Sequence, residues 1–224
     1  SSQEELDALP LREDADKIEK VVAAQSGIND VSALSSLTNL TYLDLSENHI
    51  SDISPLANLT NLTELILDFN SISDISPLAN LTNLTNLSLC DNLINDVSAL
   101  GNLTNLTELS LGNNHFSDIS PLANLTNLTS FESGGLYGTD ISDISPLANL
   151  TNLTELILDF NNINDISALG SLTNLTCLGL GDNNISDVSA LENLTNLVEL
   201  ILSDNPIGDV SDLQRALPNC NIYD

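Results

Sequence analysis

The chain has 224 residues, 42% of them hydrophobic but only 3% aromatic, so its apolar content is Leu, Ile, Val and Ala rather than rings. Its formal net charge is −28, and no Lys or Arg stands between Val21 and Leu213. So acidic a surface repels phosphate backbones and anionic lipid heads, which argues against nucleic acid and membrane surfaces; the charge itself reads either as a solubility device or as attraction to a basic protein or peptide partner or to divalent cations.

The first elements lie at the N-terminus. Ser2-x-x-Glu5 has the form of a capping box and predicts a short helix that stops at Pro10. Residues 14–24 predict a second helix, with Ile18, Val21 and Val22 on one face and its end near Gly27. Together they form an expected helical N-terminal cap over residues 1–26.

From there the chain repeats. ISDISPLANLTNLT occurs three times and once more with Phe116 in place of the first Ile. Written from its first Leu, the unit is LTELILDFNSISDISPLANLTN, with the skeleton LxxLxLxxNxIxDIxxLxxLxx. Eight units of 22-residue type start at Leu40, Leu62, Leu84, Leu106, Leu128, Leu153, Leu175 and Leu197, after a partial unit over 27–39. A fixed period of this length means a solenoid, in which each coil buries its aliphatics against its neighbours.

The skeleton has a direct physical reading. LxxLxL is a short strand with its Leu side chains inward, and the strands stack at about 4.8 Å into a parallel sheet on the order of 40 Å long. Asn48, Asn70, Asn92, Asn114, Asn161, Asn183 and Asn205 fall where the chain turns and predict a ladder of buried amides. Asp in IxDI suits the N-cap of a short helical turn, and Pro55, Pro77, Pro121 and Pro146 fall in its first turn. A return this brief predicts 3₁₀ turns. The repeats run over 27–212. Residues 213–224 form a C-terminal cap in which Leu217, Cys220 and Ile222 close the last coil, with Cys220 a small buried residue.

The LxxLxLxxNxIxDIxPLxxLxxL pattern resembles the internalin-type, or SDS22-like, bacterial leucine-rich repeats. The resemblance implies a right-handed α/β solenoid with a concave parallel sheet and short 3₁₀ turns on the convex side. It also implies a module that binds a ligand, usually a protein, secreted or at the bacterial cell surface. Two departures stand out: a shorter N-terminal cap, and no immunoglobulin-like domain or wall-sorting signal after the repeats. An intracellular, cytoplasmic regulatory scaffold of the SDS22 type is the alternative.

Between copies, the positions that change most are the outward strand residues and the pair before the ladder Asn. These face the concave sheet and form the expected ligand surface. They include Tyr42, Asp44 and Glu47; Glu64, Ile66, Asp68 and Phe69; Asn86 and Asp91; Glu108 and Asn113; and Glu132. Further along they are Glu155, Ile157, Asp159 and Phe160, then Glu199 and Ile201. Large apolar side chains on a wet acidic sheet read as contact anchors. The competing reading is drift, because residues 62–70 and 153–161 are identical. The unit at Leu128 breaks the period: it runs over 128–152, carries ESGGLYGTD in place of the usual turn, and offers Tyr137 either as part of a binding loop or within a tolerated insertion.

No catalytic residue and no metal or cofactor site is read from the chain, and a monomer is expected. His49 and His115 occupy equivalent turn positions and read as surface residues. Cys90 and Cys177 lie four strands apart, about 20 Å, too far to bridge. Thr60, Thr82, Thr104, Thr126, Thr151, Thr173 and Thr195 form a regular row. A lattice- or ice-binding surface is the sharp reading of that row, and a residue suited to the turn is the plain one.

Overall fold

The computed structural model describes residues 2–135 and 139–224. Among these, ten strands form one parallel sheet in strict chain order. They are β1 (Lys20–Val22), β2 (Tyr42–Asp44), β3 (Glu64–Ile66), β4 (Asn86–Ser88), β5 (Glu108–Ser110), β6 (Ser130–Glu132), β7 (Glu155–Ile157), β8 (Cys177–Gly179), β9 (Glu199–Ile201) and β10 (Asn221–Tyr223). The register never slips. Leu43 pairs with Leu65, Leu65 with Leu87 and Leu87 with Leu109, so each core Leu stacks on its equivalent one coil away.

The return segments are 3₁₀ turns, as expected from their length: Ser76–Asn80, Ser98–Asn102 and Ser120–Asn124 are typical. The Leu and Ile positions of the skeleton are buried, apart from half-buried Val188 and Ile207 near the C-terminal end; Leu62, Leu65, Leu67, Ile72, Ile75, Leu78 and Leu81 line the interior of one coil. Full burial of one such side chain contributes about 1.5–3 kcal/mol. The aspartates act one residue further upstream than a simple N-cap. Asp52, Asp74, Asp96 and Asp118 each accept a bond from the backbone N–H two residues on, at 2.8 Å. The residue between, such as Ile53, is the cap itself. This is an Asx turn feeding a 3₁₀ turn.

The asparagine ladder is present, with Asn48, Asn92, Asn114 and Asn183 buried as expected and Asn70, Asn161 and Asn205 only half-buried. Asn92 donates to the carbonyls of Leu67 (2.9 Å), Leu89 (3.2 Å) and Cys90 (3.2 Å), and its Oδ1 accepts Ile72 N–H at 3.0 Å. Leu67 and Ile72 belong to the preceding coil, so one amide both closes its own turn and fastens two coils together. A second, exposed ladder runs beside it. Asn61, Asn83, Asn105 and Asn127 donate to the carbonyls of Thr38, Thr60, Thr82 and Thr104 at 2.8–2.9 Å. The Thr row is therefore built into the turn that enters each strand, which favours its plain reading.

Both ends differ from expectation. Helix α1 (Gln3–Ala8) has the expected capping box, Glu5 N–H to Ser2 Oγ and Ser2 N–H to Glu5 Oε2. Residues 14–24 are not a helix. They hold a single 3₁₀ turn, Ala15–Lys17, followed by β1, which pairs with β2. Val21 and Ala23 point into the core while Val22 is exposed, a period of two rather than 3.6. At the other end, helix α2 (Ser211–Ala216) buries Leu213, Leu217 closes the core, and β10 pairs with β9. Cys220 is half-buried, against the expectation of a fully buried residue.

The irregular unit keeps its strand and loses its rung. Ser133 stands where other coils place an inward Leu, and it is fully buried. Thr139 takes over the polar link: its Oγ1 lies 2.9 Å from both Ser133 O and Asn161 Oδ1, while Asn161 Nδ2 donates to Ser133 O at 3.0 Å. Phe116 and Phe131, both buried, supply bulk in the coils around this small residue.

Candidate functional site

The concave face is assembled from four columns of side chains. The first strand position gives the series Tyr42, Glu64, Asn86, Glu108, Ser130, Glu155, Cys177 and Glu199. The third gives Asp44, Ile66, Ser88, Ser110, Glu132, Ile157, Gly179 and Ile201. Just beyond the strand come the two residues that precede the ladder position, Asp68 and Phe69 in one coil and Asp159 and Phe160 in another. All the sequence-derived site residues except Tyr137 lie on this surface; Tyr137 falls outside the described residues.

Several of them are tied up within the sheet. Glu47 accepts from Gln25 Nε2 at 2.7 Å, Glu108 from Asn86 Nδ2 at 2.6 Å, Asp91 from Asn113 Nδ2 at 3.1 Å and Glu155 from Ser130 Oγ at 3.3 Å. Asp44 accepts from Ser46 N–H and Oγ. Tyr42 is half-buried under Lys20, whose Nζ sits 3.8 Å from the ring centroid. That cation–π contact closes the N-terminal end of the face. Ile66, Ile157 and Ile201 are half-buried rather than exposed. Between β2 and β9 the apolar side chains that stand clear of this surface are Phe69, 56% exposed, and Phe160, 38% exposed; at its two ends Val22 and Tyr223, in register with Asp44 and Ile201, are exposed as well.

Their backbone makes these two phenylalanines unusual. The residue before each ladder position is left-handed: Glu47, Asp91, Asn113, Asp182 and Asp204 have φ of 50–58°. Short polar residues tolerate that region, and glycine does so best; a bulky residue pays about 1–2 kcal/mol for it. Phe69 (φ 54°) and Phe160 (φ 59°) occupy it nonetheless. Composition alone gave no sign of this, although the recurrence of Asp, Asn and Gly at that position was a usable signal.

Between the two phenylalanines the surface is hollow. Gly112 and Gly134, like Gly181 further along, stand where the remaining coils carry Asp, Cys or Ser. A Cβ on Gly112 would lie 2.5 Å from Gly134 O, so the backbone itself forms the floor. The hollow encloses about 290 Å³ and is walled by Cys90 and Asp91 on one side and by Glu132, Ile157, Asp159 and Phe160 on the other. Burial pushes the carboxyls of Asp68, Glu132 and Asp159 upward, and neighbouring carboxylates add to it. Burial, with Asp68 and Glu132 adding to it, pushes the Cys90 thiol up to about 12, so it stays protonated and is no nucleophile at neutral pH. Among the described residues, no group of three His, Cys, Asp or Glu has the arrangement to hold a metal ion. His49 and His115 sit on exposed turns. Nor is any helix among the described residues long and apolar enough to cross a membrane.

Comparisons with known proteins agree with this architecture. The family profile "Leucine Rich repeats (2 copies)" matches residues 17–58, 60–102 and 173–215, and single-repeat profiles match 105–128 and 149–169. The chain is 44% identical to internalin C2 from Listeria monocytogenes, over 82% of this chain and 80% of that one, with a TM-score of 0.79. It is 27% identical to the functional domain of InlJ from the same organism, over 90% of this chain and 48% of that one, TM-score 0.70. It shares the fold, at 23% identity and TM-score 0.77, with the ectodomain of the plant receptor kinase GASSHO1/SCHENGEN3 from Arabidopsis thaliana. That match spans 86% of this chain and 25% of the receptor chain, which was solved in complex with CASPARIAN STRIP INTEGRITY FACTOR 2. A search of curated proteins gives no match.

Proposed function

Because the chain belongs to the internalin-type leucine-rich-repeat family, we propose that it is a non-catalytic module that captures a protein or peptide ligand on its concave sheet. Export to the bacterial surface or medium goes with this reading.

The observation that carries it is the placement of Phe69 and Phe160. Exposure of a large apolar ring is unfavourable in water, and a left-handed backbone is unfavourable for that ring. The bonds that hold these turns, Phe69 N–H to Cys90 O and Phe160 N–H to Gly181 O, are backbone bonds that any residue would make. The turns need neither ring for their backbone bonds, whereas a partner that covers the exposed ring surface gains its burial. The long acidic face between them sets the sign of the partner's charge, and complementary charge accelerates encounter and favours a basic ligand over an acidic one.

The test is site-specific photo-crosslinking. A crosslinking residue replacing Phe69 or Phe160 is expected to trap a discrete polypeptide, and one replacing Ser98 on the convex side is expected to trap none. Equal trapping from the two faces would overturn the concave assignment. A second reading, an intracellular scaffold, is favoured by three free cysteines. A signal peptide encoded upstream in the gene would exclude it.

A further inference from the structure

Residues 62–70 and 153–161 are identical, so β3 and β7 carry the same Ile, Asp and Phe. Duplication alone would copy that segment. It would not copy the coil that follows, and there the two sequences differ: SLCD after the first, GLGD after the second. The local geometry is nevertheless the same. Asp68 Oδ1 accepts Cys90 N–H at 2.7 Å, and Asp159 Oδ1 accepts Gly181 N–H at 2.7 Å. Each carboxylate leans onto its neighbouring coil, and each neighbour is small where the carboxylate lands. Ser88 meets Asp68 with a hydroxyl bond of 2.6 Å. Gly181 leaves the room itself, since a Cβ there would lie 2.8 Å from Asp159 Oδ1. Different residues thus maintain one arrangement at two places: a half-buried carboxylate beside an exposed ring.

Four strand steps separate the two places, about 19 Å at the usual spacing. The path between them is floored by small residues, Cys90, Gly112 and Gly134, and passes the hollow beside Glu132. Both ends and the middle carry negative charge, and no Lys or Arg occurs between Val21 and Leu213 to offset it. From this geometry we infer that the face holds two equivalent half-sites, and that the ligand is an extended basic polypeptide crossing the strands. At about 3.3 Å per residue, its two anchors stand about six residues apart, each an apolar side chain for the ring next to a cation for the carboxylate. The inference rests on the concave-face reading above.

Fluorescence anisotropy with synthetic peptides tests it. The probes are labelled peptides of about 14 residues, made of Gly, Ser and Lys, with one Leu-Lys pair or with two pairs about three, six or nine residues apart. The six-residue spacing is expected to bind at least about tenfold more tightly than the single-pair peptide, because the second half-site is engaged intramolecularly. Phe69→Asn and Phe160→Asn are each expected to return it to the single-pair affinity, with added NaCl weakening every complex. Asn is chosen because Asn113 occupies the same backbone position, and cooperative melting of each variant at or above the parent's temperature shows that it folds. Binding that is independent of spacing but still needs both rings overturns the paired half-sites and leaves the concave reading standing. Binding indifferent to both rings overturns both. Failure of every peptide to bind overturns the extended basic ligand.

Discussion

Replacing Asn114 with Ala tests the coil-to-coil fastening. Asn114 is wholly buried and donates to the carbonyls of Leu89 (2.9 Å), Leu111 (2.9 Å) and Gly112 (3.3 Å). Its Oδ1 accepts Ile94 N–H at 3.0 Å. Leu89 and Ile94 lie in the preceding coil, so the substitution cuts the bonds that couple neighbouring units as well as those within one. It leaves a buried N–H without its partner and strips carbonyls of a donor. Each buried polar group so stranded costs about 1–3 kcal/mol, which puts the total loss at about 2–5 kcal/mol. That is a large share of the 5–15 kcal/mol by which domains are typically stable, roughly. The internal control is Asn105→Ala in the outer ladder. Asn105 is exposed, and its side chain makes one bond, to Thr82 O at 2.8 Å, so the expected loss is below about 1 kcal/mol. Urea denaturation followed by far-UV circular dichroism compares the two. Equal losses, or a loss under about 1 kcal/mol for Asn114→Ala, would refute the assignment of the buried ladder as the fastening between coils.

Other outcomes follow from the same geometry. Phe69→Asn and Phe160→Asn should each raise stability by roughly 0.5–1 kcal/mol through relief of the left-handed backbone, and a lower melting temperature would contradict this. Gly112→Ala should cost about 1–3 kcal/mol because its Cβ meets Gly134 O, whereas Gly208→Ala, with open space around it, should melt nearly as the parent. The carboxyls of Asp52, Asp74, Asp118 and Asp143 are held below their ordinary value by bonds from Ser54, Ser76, Ser120 and Ser145, so they stabilise the fold at neutral pH and that contribution is lost as pH falls through their depressed range. Asp159 has the opposite sign: burial raises it, so its ionised form opposes folding at neutral pH and the cost is relieved as pH falls. Asp159→Asn should therefore raise the melting temperature at pH 7 and lose that advantage in acid; a drop at pH 7 would refute the sign.

Much of the scaffold was legible because every coil repeats one solution. The Leu positions, the buried asparagines and the 3₁₀ returns follow from residue type at fixed spacing. The N-terminal cap was misread where the repeat is faint. Val21 and Val22 look like one helix face, yet Val21 stands 22 residues before Leu43, and the pair is in register. The period, extended one coil further in each direction, finds β1, and Ile222, 22 residues after Leu200, finds β10. Side-chain competition explains the rest. Amide and hydroxyl pairing along the sheet occupies Glu47, Glu108 and Glu155, which sequence places on the face without showing their partners. The left-handed turn beneath Phe69 and Phe160 is a backbone property, visible in sequence only through the polar residues that accept it elsewhere.

The most direct test of the concave face is quantitative. The affinity of the cross-linked partner, once purified, is measured for the parent chain, for Phe69→Asn with Phe160→Asn, and for a convex-side Ser98→Asn control. At least about a hundredfold loss in the double variant, or about 2.7 kcal/mol, with none in the control and unchanged folding in all three, is the expected result. Parent-like affinity in the double variant would contradict the concave face as the binding surface.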